Sequence, residues 1–309
     1  MTPDVSVEEH KSRKVEAYWA DLVEGETGLY KAGVIKRLVD DHLRIPVRQV
    51  LDIGCGTSEI ARRLAERIGS ERVVGVDYDA EIIDKLRRHE WKVGIDTQWR
   101  VADIFDIGAW DERFELVFLL DILHEVYSFV GRSDDGKGGQ LIINHQKGLD
   151  ATYRALDSIA KVVPSGGGIV ITDDILPDHN ESVEVKAKNP KVLSTLKTFV
   201  EEYPSRQIDL EWTSTDTFRI PAHDFSIVLT QYNKLKNGDL QRWNVEKLEI
   251  HQYFREADYR DVFRSLGFTP HIVVGTPCGA RDEWCDDFEM LFGLPSIPAK
   301  RVSVLAVRD

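Results

Sequence analysis

A chain of 309 residues with 53 acidic against 40 basic side chains has a formal net charge of −13, which opposes stable association with nucleic-acid phosphates or anionic membranes. Of three cysteines, Cys278 and Cys285 lack C-x2-C spacing, so neither a disulfide framework nor a thiolate metal site is implied. No apolar run approaches the ~18 residues of a membrane span and the amino terminus is polar, so the expectation is a soluble cytoplasmic protein, one large α/β domain with an elaboration.

The chain opens with two helical segments. Val15, Tyr18, Trp19 and Leu22 share one face, and Ala32, Ile35, Leu38 and Val39 another, so residues 1–45 read as a helical cap on the sheet of a domain spanning 46–309. Val47 to Ile53 reads as a buried parallel strand that runs into a turn at Gly54-Cys55-Gly56. Ile60, Leu64, Ala65 and Ile68 then mark a helix that packs back on the sheet. A second strand, Arg72 to Asp77, ends in an acid 21 positions beyond Gly56. In a doubly wound sheet such a carboxylate accepts hydrogen bonds from ribose hydroxyls, so the ligand is expected to be a nucleoside. Glu59 stands where a dinucleotide fingerprint needs its third glycine, and a carboxylate there repels a pyrophosphate.

A helix with Ile82, Ile83 and Leu86 leads to a third strand near Gln98 to Ala102, followed by Asp103. Phe114 to Leu120 is a central strand ending at Asp121, and His124-Glu125 follow. Gly131 to Gln140 reads as a mobile polar loop, and a helix through Leu149, Leu156, Ile159 and Val163 stops at Pro164 and the Gly166-Gly167-Gly168 triplet. A fifth strand emerges at Thr172-Asp173-Asp174. Residues 177–251 leave the alternating pattern and read as an inserted substrate-binding module, with a helix from Lys191 to Tyr203 and a strand from Phe225 to Tyr232. An amphipathic helix between Gln252 and Gly267 and strands near His271 to Gly275 and Arg301 to Val307 close the chain.

Five segments carry a resemblance. Leu51-Asp52-Ile53-Gly54-Cys55-Gly56-Thr57, Val74-Gly75-Val76-Asp77, Val101-Ala102-Asp103-Ile104, Leu119 to Val126 and Pro164 to Asp173 fall in order and resemble the motifs of class I S-adenosylmethionine-dependent methyltransferases. The resemblance implies a Rossmann-like, doubly wound seven-stranded α/β sheet whose sixth and seventh strands are antiparallel. It implies S-adenosylmethionine as cofactor and S-adenosylhomocysteine as product. Cofactor contacts would come from Asp52, Gly54, Cys55 and Gly56, from Asp77 and Tyr78, from Asp103 at the adenine amino group with Ile104 on the ring, and from Asp121 and Ile122 along the methionine half.

A sulfonium methyl is already electrophilic, so the acceptor needs alignment, exclusion of water and at most a base. His124, His223 and His251 are the candidates for that base, and each reads equally as a structural histidine. Tyr18 and Trp19 of the cap, with His124, Trp212, Phe225 and Tyr232, are the candidate acceptor-binding residues; as aromatics they read equally as packing groups. Asp121 with Asp173 or Asp174 has oxygen donors suited to Mg²⁺, but strand-end carboxylates also serve cofactor binding, and no resident metal is expected. The expectation is methylation of an oxygen or nitrogen on a small molecule, in a chain that allows a homodimer. Methylation of RNA or protein is the second reading, and a non-catalytic nucleoside-binding scaffold the third.

Overall fold

The computed structural model describes residues 26–88, 95–134, 141–293 and 297–309. The cap residues Tyr18 and Trp19 and most of the glycine-rich loop at 131–140 lie outside the described residues. The first described helix, α1 (Glu26–His42), precedes a seven-stranded sheet built from β1 (Gln49–Ile53), β2 (Arg72–Asp77), β3 (Asp96–Val101), β4 (Leu116–Leu120), β7 (Gly168–Asp174), β11 (Phe268–Gly275) and β13 (Arg301–Arg308). Their order across the sheet is β11-β13-β7-β4-β1-β2-β3. Helices α2 (Glu59–Arg67), α3 (Ala80–Arg88), α4 (Leu123–Gly131), α5 (His145–Ala160) and α9 (Glu256–Ser265) make crossovers. Between α4 and α5 lies the short hairpin of β5 (Arg132–Asp134) and β6 (Leu141–Ile143).

The two-residue period of the strands sorts the core into two layers. Val50, Val73, Leu116, Phe118 and Val170 face α1 and α2, against Ile35, Leu38, Ala61 and Leu64. Leu51, Val74, Val117, Leu119, Ile169 and Ile171 face the opposite layer, which contains Tyr127, Leu156 and Ile159. Strands buried on both faces are what near-continuous apolar runs encode.

β13 alone runs against its neighbours, antiparallel to both β7 and β11. The last two strands form the expected antiparallel pair, and within it β11 keeps the direction of the other five. From β1 the chain winds one way to β2 and β3, then returns to β4 and β7 on the other side. The carboxyl ends of β1 and β4 thus flank the point where winding reverses, where a crevice opens.

A second sheet, ordered β12-β8-β10-β9, is built from β8 (Ser182–Ala187), β9 (Glu211–Trp212), β10 (Thr217–Pro221) and β12 (Phe288–Phe292). It packs with α6 (Pro190–Glu202), which begins at an Asn189 cap where the sequence places a helix from Lys191 to Tyr203, and with α7 (Ala222–Lys236). The expected strand from Phe225 to Tyr232 is a helix. Residues 222 and 224–232 are all buried, so no amphipathic period marks the run, and a short apolar stretch does not distinguish a buried helix from a strand. α8 (Leu240–Glu246) and an extended segment lead back to α9, while α10 (Cys278–Asp287) and β12 come from the chain between β11 and β13.

Candidate functional site

The turn after β1 is held from beneath. Gly54 and Gly56 adopt φ of 65° and 48°, left-handed values that disfavour side chains, and a Cβ on Gly54 would meet Ile122 Cδ1 at 2.5 Å. Asp77 at the end of β2 accepts from Gly56 N at 3.2 Å and from Asp79 N at 3.0 Å, so its carboxylate is oriented at the turn. Asp52, 3% exposed, accepts from Ser58 Oγ at 2.6 Å. Burial, with help from the charge of Asp77 and against the Ser58 bond, pushes its carboxyl up to about 7.

Cys55 contributes backbone only. Its N–H donates to Val76 O, and its buried thiol packs with Ile83, Leu86 and Trp99, 3.2 Å from where a Cβ on Gly75 would stand. Burial raises the thiol far above its ordinary value, which makes it inert. Tyr78 is half-exposed beside Asp77. Asp103 caps a 3-10 turn by accepting from Phe105 N at 3.0 Å, and Ile104 is half-buried against the core.

Asp121 at the end of β4 adopts φ 56°, an uncommon conformation for a non-glycine residue and one that clusters at functional positions. Its carboxylate is gripped by Lys31 of α1 and Arg301 of β13, and Arg301 Nε lies 3.2 Å from Asp174 Oδ1. Burial alone would raise this carboxyl, but Arg301 and then Lys31 outweigh it and hold it well below the carboxylate range. Asp121 is thus engaged by two cations and Asp174 by Arg301.

A different cluster occupies the ends of β4 and β7. His124, in the first turn of α4, sets Nδ1 2.7 Å from Asp173 Oδ1, and its backbone N donates to Asp173 Oδ2 at 3.0 Å. Tyr253 Oη donates to the same carboxylate at 3.2 Å. His251 stacks on His124 with ring centroids 4.2 Å apart and sets Nδ1 3.5 Å from Asp174 Oδ2. Both Nε2 atoms face Glu249 Oε2, His124 at 3.6 Å and His251 at 3.3 Å. Glu246 Oε2 lies 3.0 Å from His251 Nε2 and is paired with Lys234. Burial would lower both imidazoles; Asp173 outweighs it at His124, and Asp174, Glu246 and Glu249 outweigh it at His251, so both are raised.

Two of the three expected histidines thus come together. His223 does not: its Nε2 lies 3.0 Å from the Pro177 carbonyl, away from the pair, and burial lowers it. Phe225 and Tyr232 are both fully buried against Phe288, and Tyr232 donates to Asp287. Trp212 lies on the edge strand β9, 36% exposed, against Phe218 and Lys197. Glu249, Glu246, Lys31 and Arg301 are the members that sequence reasoning missed. A usable signal existed in Glu249-Ile250-His251, since residues two apart on an extended segment point the same way.

The seven-stranded order, the reversed last strand and a glycine turn beside a strand-end acid are together the architecture of class I S-adenosylmethionine-dependent methyltransferases. Residues 50–129 match the family model of a methyltransferase domain. Among curated relatives, the ribosomal protein L11 methyltransferase of Thermosipho africanus is 33% identical over 29% of this chain and 34% of its own length. The ubiquinone biosynthesis O-methyltransferase of Hahella chejuensis is 26% identical over 41% of this chain and 54% of its own. The chain therefore spans about a third to a half of the length of these relatives. Among solved structures, magnesium protoporphyrin IX methyltransferase from Synechocystis with bound S-adenosylhomocysteine aligns over 99% of this chain and 100% of that one, at 12% identity and a TM-score of 0.49. Among the described residues, no helix is long and apolar enough to cross a membrane.

Proposed function

We propose that the chain transfers the methyl group of S-adenosylmethionine, by direct displacement, to an oxygen or nitrogen of a small molecule. The observation that carries this reading is the adjacency of two built sites at one sheet edge: the glycine turn with Asp52 and Asp77 at the ends of β1 and β2, and the histidine–carboxylate cluster at the ends of β4 and β7. Asp77 would take the ribose hydroxyls, and Asp52 would lie under the cationic methionine end. The acceptor would sit over His124 and His251, covered by residues 177–251. The overall negative charge supports a small acceptor over RNA.

Calorimetric titration with S-adenosylhomocysteine, followed by acceptor screening with S-adenosylmethionine, tests the reading. Saturable one-to-one binding is expected; no heat and no thermal shift with either nucleoside would sink it.

The buried Asp52 adds a pH signature. Its raised carboxyl is protonated below about 7, whereas a cationic ligand favours the carboxylate. S-adenosylmethionine affinity is therefore expected to rise as pH climbs through 7, with proton uptake by the buffer that calorimetry in buffers of different ionisation enthalpy detects. The sign for the ligand-free protein is opposite: the folded state holds a proton that the unfolded state has lost, so Asp52 makes stability fall between about pH 4 and pH 7. Asp52→Asn flattens both profiles.

A further inference from the structure

We propose that Lys300 and the indole N–H of Trp284 bind a carboxylate carried by the acceptor, so that the molecule methylated is a small organic acid. Lys300 stands immediately before β13, at the carboxyl end of β7. Its carbonyl accepts from Ile175 N and its N–H donates to Thr276 Oγ1, each at 3.0 Å, which fixes the backbone at the same edge as the histidines. The order across the sheet sets the pieces in line: the glycine turn at β1, the histidines over β4 and β7, and Lys300 at β13. On the methyltransferase reading, on which this role rests, the carboxylate is a handle at the end of the acceptor remote from the methyl donor.

Among the described residues, charge pairing leaves Lys300 unmatched. Each carboxylate of the cluster has a partner of its own: Lys31 for Asp121, His124 for Asp173, Arg301 for Asp174, Lys234 for Glu246 and His251 for Glu249. On the neighbouring α10, Glu283 and Asp287 are both engaged by Lys236. Lys300 is half-buried and forms no ion pair with any described residue. The contact it does make, with Nζ 5.9 Å from the centroid of the Trp284 ring, is at the ~6 Å limit of a cation–π interaction and compensates little. Burial lowers its ammonium to about 8, with Arg301, Lys234 and Lys31 adding to the fall and Asp174 opposing it.

Trp284 supplies the second donor. Its side chain is 1% exposed, and among the described residues its Nε1 has no hydrogen-bond partner. A buried N–H without an acceptor and a half-buried ammonium without a counter-ion are each unfavourable alone. One carboxylate relieves both, because its charge answers the single cation and its two oxygens can take one hydrogen bond from each donor. A carboxamide offers one oxygen and no charge, and an amine adds a like charge beside Lys300. Lysine suits the task, since its ammonium is a compact point charge with three donors on a flexible stem.

The test uses the full-length protein with excess S-adenosylhomocysteine, titrated calorimetrically with benzoate, indole-3-acetate and hexanoate and with the carboxamide of each. Saturable binding of at least one acid is expected, about tenfold or more tighter than its carboxamide. Lys300→Met is expected to weaken that binding about tenfold or more, and Trp284→Phe, which keeps a ring and removes the N–H, about three- to tenfold. Affinity is expected to fall as pH climbs from about 7 to about 9, where Lys300 loses its proton; Lys300→Arg, which keeps its charge there, is expected to flatten that profile. Lys161→Met, at an exposed lysine paired with Asp157, is expected to bind as wild type does. Failure of the wild type to bind any of these acids overturns the site, as does binding that survives both Lys300→Met and Trp284→Phe. If Lys300→Met does not fold, Trp284→Phe decides. Titration of the same sample with S-adenosylhomocysteine alone separates the two readings: nucleoside binding without acid binding removes only the carboxylate handle, and acid binding without nucleoside binding removes only the methyltransferase assignment.

Discussion

Arg301→Met is expected to destabilise the folded protein by about 3–5 kcal/mol, the range for stranding buried carboxylates by removing their cation. The guanidinium is 12% exposed and reaches both Asp121 and Asp174, on neighbouring strands. Methionine fills much of the volume, so the loss reports charge rather than a cavity. Lys31 still pairs with Asp121, whereas Asp174 keeps only the 3.5 Å approach of His251 among the ion pairs given above. Acid should narrow the deficit, because protonating a stranded carboxylate relieves it, so urea unfolding of both proteins at pH 5 and pH 8 should show the larger gap at pH 8. Equal midpoints at pH 8 would mean that the guanidinium contributes nothing to stability.

Asp77→Ala is expected to weaken S-adenosylhomocysteine binding by about 1–3 kcal/mol, roughly five- to 150-fold. The carboxylate has two tasks, since it accepts from the Gly56 and Asp79 amides and would offer its remaining lone pairs to the ribose. Asp77→Asn keeps one carbonyl acceptor and should fall between wild type and alanine. Cys55→Ala, which removes a thiol packed on Trp99 away from the crevice, should leave the dissociation constant within about twofold at equal stability. A dissociation constant for Asp77→Ala equal to that of wild type would remove this carboxylate from the ligand site.

Legibility in the sequence follows the range of the interactions. The turn at Gly54 to Gly56, the helix behind it and the acid ending β2 can be read because a glycine turn and a strand end are specified within a few residues. The buried parallel strands can be read because burial on both faces leaves a continuous apolar run. The run from Phe225 to Tyr232 misleads for the same reason, since a helix buried on every side is just as apolar. Of the cluster, His124 and His251 stand out by residue type, but their partnership depends on two distant segments meeting over the end of β7. Glu249 and Arg301 have ordinary surroundings in sequence, and only the folded sheet brings them beside Asp174 and the histidines.

β12 has a consequence for how such a protein is rearranged by recombination. It pairs with β8, yet the chain delivers it more than a hundred residues later, between the last two strands of the large sheet. Residues 177–251 are therefore not a cassette. Transplanted alone they would arrive one strand short, and cut away they would leave β12 with an open, unpaired edge prone to sticking to other chains. Exchange of acceptor preference between relatives built this way would have to move both pieces together.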